Sequence, residues 1–253
     1  MAAAILLMAL LGLALGSFAS VVAHRVPRGE SIVTPRSRCS SCGTQIASRD
    51  NVPVVSWLLL RGRCRNCGAK ISPLYPLLEF GLAAGFVAAL LVFEDETVEI
   101  ALACLLLFTL AVITVTDLEL RIIPNKVLLP AFVIGIALIA AFATDTLAER
   151  AIASAAAFGL LLLVALVYPQ GMGMGDVKLA AVLGLYLGRA VAPGLLFGFA
   201  LGALYGGLLI ARYGPEARKR AVPFGPFLAA GSAIALFVGD DVVDWYTDTF
   251  FGA

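Results

Sequence analysis

The sequence predicts an all-α polytopic membrane protein of about eight transmembrane helices, interrupted once by a small cytoplasmic four-cysteine insertion. Three observations predict it. First, 61% of the 253 residues are hydrophobic, only 14% are charged, and the mean hydropathy is +0.98. A soluble domain is near 45–50% apolar and about 25% charged, so this excess must face lipid. Second, apolar runs of spanning length recur along the chain. Third, the basic residues are sorted between alternate connections. The formal net charge of +1 says little by itself, and no nucleic acid is expected as a partner.

The runs lie at 2–23, 74–93, 98–116, 127–143, 150–168, 177–190, 191–211 and 222–238. A bilayer core takes roughly 20 helical residues. The first run lacks the basic leading region of a secretory signal and is read as a retained span. The sixth is short and glycine-containing, so charge must test it. The segment Arg25 to Pro73 holds nine Lys/Arg and two acids, and such a basic segment stays cytoplasmic. Alternation then puts the acidic Glu94 to Glu99 connection outside, the Asp117 connection with Arg121 and Lys126 inside, Ala143 to Arg150 outside and Gly171 to Lys178 inside. If the sixth run spans, the basic Arg212 to Arg220 turn falls inside and the acidic tail (Asp240, Asp241, Asp244, Asp248) outside. If it does not, that turn faces outward against the rule. Eight spans place 16 of the 18 basic residues on the cytoplasmic side, leaving out Arg150 and Arg189. The expected organisation is a first span at 1–24, the cysteine loop at 25–73 and a helical core at 74–253.

The loop carries Cys39-Ser40-Ser41-Cys42-Gly43 and Cys64-Arg65-Asn66-Cys67-Gly68, with 21 residues between the pairs. Cys39, Cys42, Cys64 and Cys67 make a four-sulfur set of the kind structural Zn²⁺ prefers, in a zinc-ribbon-like arrangement with a long central loop. Redox pairs are the main competitor, but a reducing cytoplasm favours thiolate ligation over disulfides. A closed four-sulfur site has no open coordination position, so its expected role is structural. About 45 residues build little core, and a metal would supply the missing stability. Cys104, alone in an apolar run, reads as a packing residue.

The candidate chemistry lies in two acids at the ends of apolar runs. Asp176 sits in Gly171-Met172-Gly173-Met174-Gly175-Asp176-Val177-Lys178, and Asp117 in Thr116-Asp117-Leu118-Glu119-Leu120-Arg121. A carboxylate at the edge of hydrocarbon is a functional-site hypothesis by default. Taken singly, Asp176 is also readable as a cap for a helix beginning at Val177, and Asp117 as an interfacial acid beside Arg121. Gly173 and Gly175 would let another chain lie close to Asp176. Glu79, inside the second run, and Lys178 form a possible secondary polar site. His24, the one histidine, reads as an interfacial anchor. There is therefore no Ser/His triad and no His-Glu-x-x-His motif, and a hydrolase must work through carboxylates.

These residues resemble the type IV prepilin leader peptidases, bifunctional membrane enzymes that cleave and N-methylate pilin-like precursors. The resemblance runs through Gly16-Ser17-Phe18, both cysteine pairs, Tyr75-Pro76-Leu77-Leu78-Glu79, Asp117-Leu118-Glu119 with Ile123-Pro124, Gly173-Met174-Gly175-Asp176 and Pro223-Phe224-Gly225-Pro226-Phe227. It departs from the pattern at Asn125, where Asp is usual, and at Ser40, where Pro is common. The resemblance implies that Asp117 and Asp176 are the catalytic pair of an aspartyl protease of the bacterial inner membrane and that the cysteine loop holds zinc. It also implies methylation of the new amine from S-adenosylmethionine. Prepilin or pseudopilin precursors and membrane lipids are the expected partners. Two rival classes stay open: a peptidase without methyltransferase activity, and a transporter or scaffold with a zinc-ribbon docking module.

Overall fold

The computed structural model describes residues 1–169, 171–214, 216 and 222–252; the predicted basic cluster Arg218-Lys219-Arg220 lies outside them. The described residues contain nine α-helices and no strand beyond two isolated β-bridges. They fall into two units, Met1–Ile100 and Ala101–Ala253.

In the first unit, α1 (Ala2–Arg25) and α3 (Leu74–Phe93) flank the cysteine loop, which carries the short α2 (Val55–Leu59). The two long helices run antiparallel. A Cβ at Gly12 would stand 2.5 Å from Ala83 Cα, and one at Gly16 would stand 2.5 Å from Glu79 Cα. Such small-residue crossings are how helices associate in lipid, where apolar burial alone gives no advantage.

The second unit contains α4 (Thr97–Leu120) from Ala101 onward, α5 (Asn125–Phe142), α6 (Leu147–Val167), α7 (Met174–Leu187), α8 (Val191–Tyr213) and α9 (Gly225–Phe251). Contacts along it fix the direction of each helix. At one end, Asp117 meets Gly225, the space beside Gly175 is filled by Ile123, and Lys178 bonds Asn125. At the other, Arg150 donates to Tyr186 O (2.7 Å), and Arg189 pairs with Asp240 (2.7 Å) and Asp244 (2.5 Å). Between these ends Ser154 bonds Ala181 O, which sets α6 against α7. Gly194 lies beside Ala235 and Gly198 beside Leu228, which sets α8 antiparallel to α9.

Seven segments are long and apolar enough to cross a membrane among the described residues, and one of them, Met174–Tyr213, holds both α7 and α8. A straight 40-residue helix would be about 60 Å long, twice the hydrocarbon core. The chain breaks at Gly188, where φ is 54°, a left-handed value open to glycine. Gly239 then stands against Ala190 just beyond the break, so α8 returns toward the end from which α7 set out. The eight predicted runs thus coincide with eight helices. The short α7, 14 residues and about 21 Å, crosses the unit from one end to the other. The two basic residues that the charge pattern left out, Arg150 and Arg189, sit at the end away from Asp117. There Arg150 is buried and bonded, and Arg189 is ion-paired.

The α8/α9 crossing is the closest: a Cβ on Gly231 would stand 2.3 Å from Gly198 N and 2.6 Å from Gly194 O. Backbone cannot yield as a side chain can. Gly231→Ala is therefore expected to destabilise the chain by about 1–3 kcal/mol through overpacking, read as a lowered thermal midpoint. Gly207→Ala, which meets nothing within 4 Å, is the matched neutral control.

Candidate active site

Asp117 lies inside the last turn of α4, because the helix continues past the predicted run to Leu120. It is 6% exposed. Its Oδ2 accepts a 2.8 Å hydrogen bond from the backbone N–H of Gly225, the first residue of α9. The first N–H groups of a helix have no partner within it, and their positive end attracts a carboxylate. Gly225 is a residue at the site whose part in it sequence reasoning did not identify. The usable signal was Phe224-Gly225-Pro226, a helix start with no side chain to obstruct an approaching group. A Cβ there would stand 2.8 Å from Asp117 Oδ2. Gly225→Ala should therefore turn the carboxylate away while leaving the fold intact, since the displaced atom is the tip of a side chain. The expected result is a loss of about tenfold to a hundredfold in turnover with little change in thermal midpoint.

Asp176 is the third residue of α7, which begins at Met174 rather than Val177. Its Oδ2 turns back to the Gly173 backbone N–H, as an acid at that position does in a capping box. The N-cap is Gly173, so the expectation that Asp176 itself caps a helix beginning at Val177 does not hold. The other carboxyl oxygen of Asp176, Oδ1, is buried with no hydrogen-bond partner, one of two such side-chain atoms among the described residues. A buried polar atom without a partner is costly and calls for an explanation. Asp117 and Asp176 lie at the same end of the unit. Gly175 explains how. The space its side chain would fill is taken by Ile123, 2.9 Å away, which brings the segment after Asp117 against the Asp176 turn. Gly173, by contrast, is exposed.

Lys178 Nζ donates to Asn125 Oδ1 at 3.1 Å, on the solvent side of α7. Glu79 is buried in the first unit, where its Oε2 accepts from Val54 N–H at 2.6 Å and it also bonds the Ser17 hydroxyl. These are the polar partners that the sequence left unnamed.

The two cysteine turns share one hydrogen-bond pattern. Cys39 N–H donates to Thr44 O and Gly43 N–H to Cys39 O; 25 positions on, Cys64 N–H donates to Ala69 O and Gly68 N–H to Cys64 O. Gly43 and Gly68 take φ of 70° and 72°, which is why glycine follows each second cysteine. All four sulfurs lie within 4.8 Å of one another, with Cys39 and Cys67 at 3.8 Å. That is too long for a disulfide, whose S–S bond is ~2.05 Å. It matches the edge of a tetrahedron built on Zn–S bonds of ~2.3 Å, about 3.8 Å. Hydrogen bonds from Thr44, then from Asn66, pull the Cys42 thiol down to about 6, and the Cys67 and Asn66 amides lower Cys64. Cys67 is pushed up to about 11: the Ala69 amide favours its thiolate, but desolvation and the neighbouring sulfurs outweigh it. Sulfurs crowded in this way oppose a full set of thiolates until a cation joins them. The four cysteines could hold one metal ion.

Comparison with known proteins covers most of the chain. A profile described as Bacterial Peptidase A24 N-terminal domain matches residues 10–93, and one described as Type IV leader peptidase family matches residues 104–209. A Bacillus subtilis (strain 168) protein named prepilin leader peptidase/N-methyltransferase is 35% identical over 95% of this chain and 97% of its own. Proteins of the same name are 34% identical in Aeromonas hydrophila, over 95% of this chain and 93% of theirs, and 40% identical in Myxococcus xanthus (strain DK1622), over 81% and 64%. No solved structure matches.

Proposed function

The chain belongs to the type IV leader peptidase family, and on that premise we propose that it is a membrane aspartyl endopeptidase. In this reading it removes the short basic leader of prepilin-like precursors at the cytoplasmic face of the bacterial inner membrane. The observation that carries the reading is an Asp176 whose Oδ1 is buried and unpartnered, on a turn packed against the segment that follows Asp117. A water or a scissile carbonyl is the partner such an atom lacks. Cytoplasmic placement of both acids is supported by the sorting of basic residues.

Two close carboxyl groups share one proton. We assign the ionised role to Asp117, whose Oδ2 already accepts from the Gly225 amide at a helix N-terminus. Asp176 carries the proton on Oδ1 and donates it toward the scissile carbonyl oxygen. Asp117 takes a proton from the water between them, and the water oxygen adds to the carbonyl carbon. Collapse of the adduct breaks the C–N bond, the amine leaves with a proton from the dyad, and the second product is a carboxylic acid. The exposed Gly173 beside Asp176 is where an extended substrate backbone comes closest. Gly175 serves first to seat Ile123.

The four cysteines are proposed to hold zinc, which would brace the loop and, having no open position, take no part in the cleavage. The relatives' names support N-methylation of the new amine as a second activity. The residues around the cleft of about 310 Å³ beside α1 do not fit S-adenosylmethionine. Its lining holds no carboxylate for an ammonium or for ribose hydroxyls, and its Arg25 is used on the carbonyls of Ser31 (2.9 Å) and Pro35 (2.6 Å).

The test is the purified chain incubated with a precursor carrying a basic leader, with and without S-adenosylmethionine, and mass spectrometry of the product. The reading expects loss of the leader in both, plus the increment of one methyl group in the second. An intact precursor would rule out the peptidase; cleavage without the increment would leave a peptidase alone.

A further inference from the structure

The five-residue α2 (Val55–Leu59) exposes three large apolar side chains: Val55 is 50%, Leu58 61% and Leu59 77% accessible. It does not hang freely in the loop. The backbone N–H that leads into it, that of Val54, is held at 2.6 Å by Glu79. Glu79 lies five residues into α3, about 7–8 Å along a helix that crosses the bilayer. That depth matches the zone between hydrocarbon core and outer headgroups, roughly 5–8 Å thick on each side. Val54 turns sharply there, with φ of 61°, a value that a β-branched residue takes only when its surroundings impose it. On α3 the neighbours Leu77 and Phe80 are also exposed, as lipid-facing positions of a spanning helix should be. The apolar face of α2 is continuous in depth with that lipid-facing band.

Charge identifies the occupant. The loop from Arg25 to Pro73 carries nine basic and two acidic residues, a net charge of +7. Arg61 and Arg63 directly follow α2. The one ion pair among its described residues, Arg65 with Asp50 at 2.7 Å, uses a single arginine. A basic leader would be repelled by such a surface, whereas anionic phospholipid attracts each Lys/Arg near it. We propose that α2 seats Val55, Leu58 and Leu59 at the headgroup–acyl boundary, with the adjacent arginines on anionic phospholipid headgroups. The metal loop is thereby laid on the bilayer surface.

The full chain with Trp245→Phe and Leu59→Trp, reconstituted at high lipid-to-protein ratio, reads the seating directly. The Trp245→Phe chain supplies the Trp57 background. The added emission should be blue-shifted and largely lost in vesicles of phosphatidylglycerol and phosphatidylcholine with brominated acyl chains. A water-exposed, unquenched signal overturns the proposal. So does protection that arises only at high protein density, which assigns the face to a second copy, or only on adding precursor, which assigns it to substrate. Equal quenching in purely zwitterionic vesicles overturns the headgroup half. To guard against perturbation of the loop by the tryptophan, a second variant, Leu58→Glu with Leu59→Glu, is assayed by proteolysis at the loop arginines. Cleavage of the vesicle-bound chain should rise about tenfold with metal content unchanged. No rise in a chain that retains its metal overturns the proposal.

Discussion

Asp117→Asn and Asp176→Asn should each lower precursor cleavage by about a thousandfold or more, the scale of lost acid–base catalysis in a two-carboxylate site, with the fold intact. The substitution is nearly isosteric. Asn at 117 can still accept the Gly225 N–H that now lies 2.8 Å from Oδ2, so no buried donor is orphaned. An amide cannot take a proton from water at 117, and at 176 it cannot give one up to the scissile carbonyl oxygen. Because the two act as a unit, the double variant should be hardly slower than either single one. Initial rates on a precursor with a basic leader, beside thermal midpoints of the same preparations, measure both. Wild-type processing by either Asn variant would remove the dyad. A scaffold or transporter would show no cleavage for any of these substitutions to reduce.

Metal removal is the second large effect, confined to the loop. Purified chain should carry one zinc per molecule, and Cys42→Ser or Cys67→Ser should abolish it. The two turns have almost no apolar core to fall back on: the segment from Arg36 to Cys42 contains no buried residue. Structural zinc contributes an apparent ~10–16 kcal/mol in small domains, far more than these turns can supply from their own hydrogen bonds. The expected result is rapid proteolysis within residues 26–73 once the metal is chelated, while the long helices melt as before. Elemental analysis and timed digestion check it. A loop equally resistant without metal would mean that Trp57, bonded to Ile71 O at 3.1 Å and packed beneath Gly62, holds it unaided.

Hydropathy located the helices because each spanning run must satisfy its backbone within itself, a purely local requirement. The cysteine spacing was legible for the same reason: each Cys-x-x-Cys-Gly closes on its own backbone. The helix ends were not, since α4 runs on to Leu120 and α7 begins at Met174, where hydrophobicity fades but hydrogen bonding continues. Glycine spacing was the signal left unused. Gly12 with Gly16 and Gly194 with Gly198 lie at close helix crossings, yet a glycine's neighbour is never written in its own segment.

From composition and local pattern alone came a membrane bundle, a four-sulfur loop, and two acids at one end of their helices. What only the tertiary structure decided is which groups those acids meet: the Gly225 amide 108 residues from Asp117, and Ile123 against Gly175, which draws the two turns together. Depth in a bilayer follows from a residue's place in its own run, but position around the bundle depends on every other helix, and no single stretch of chain carries that information.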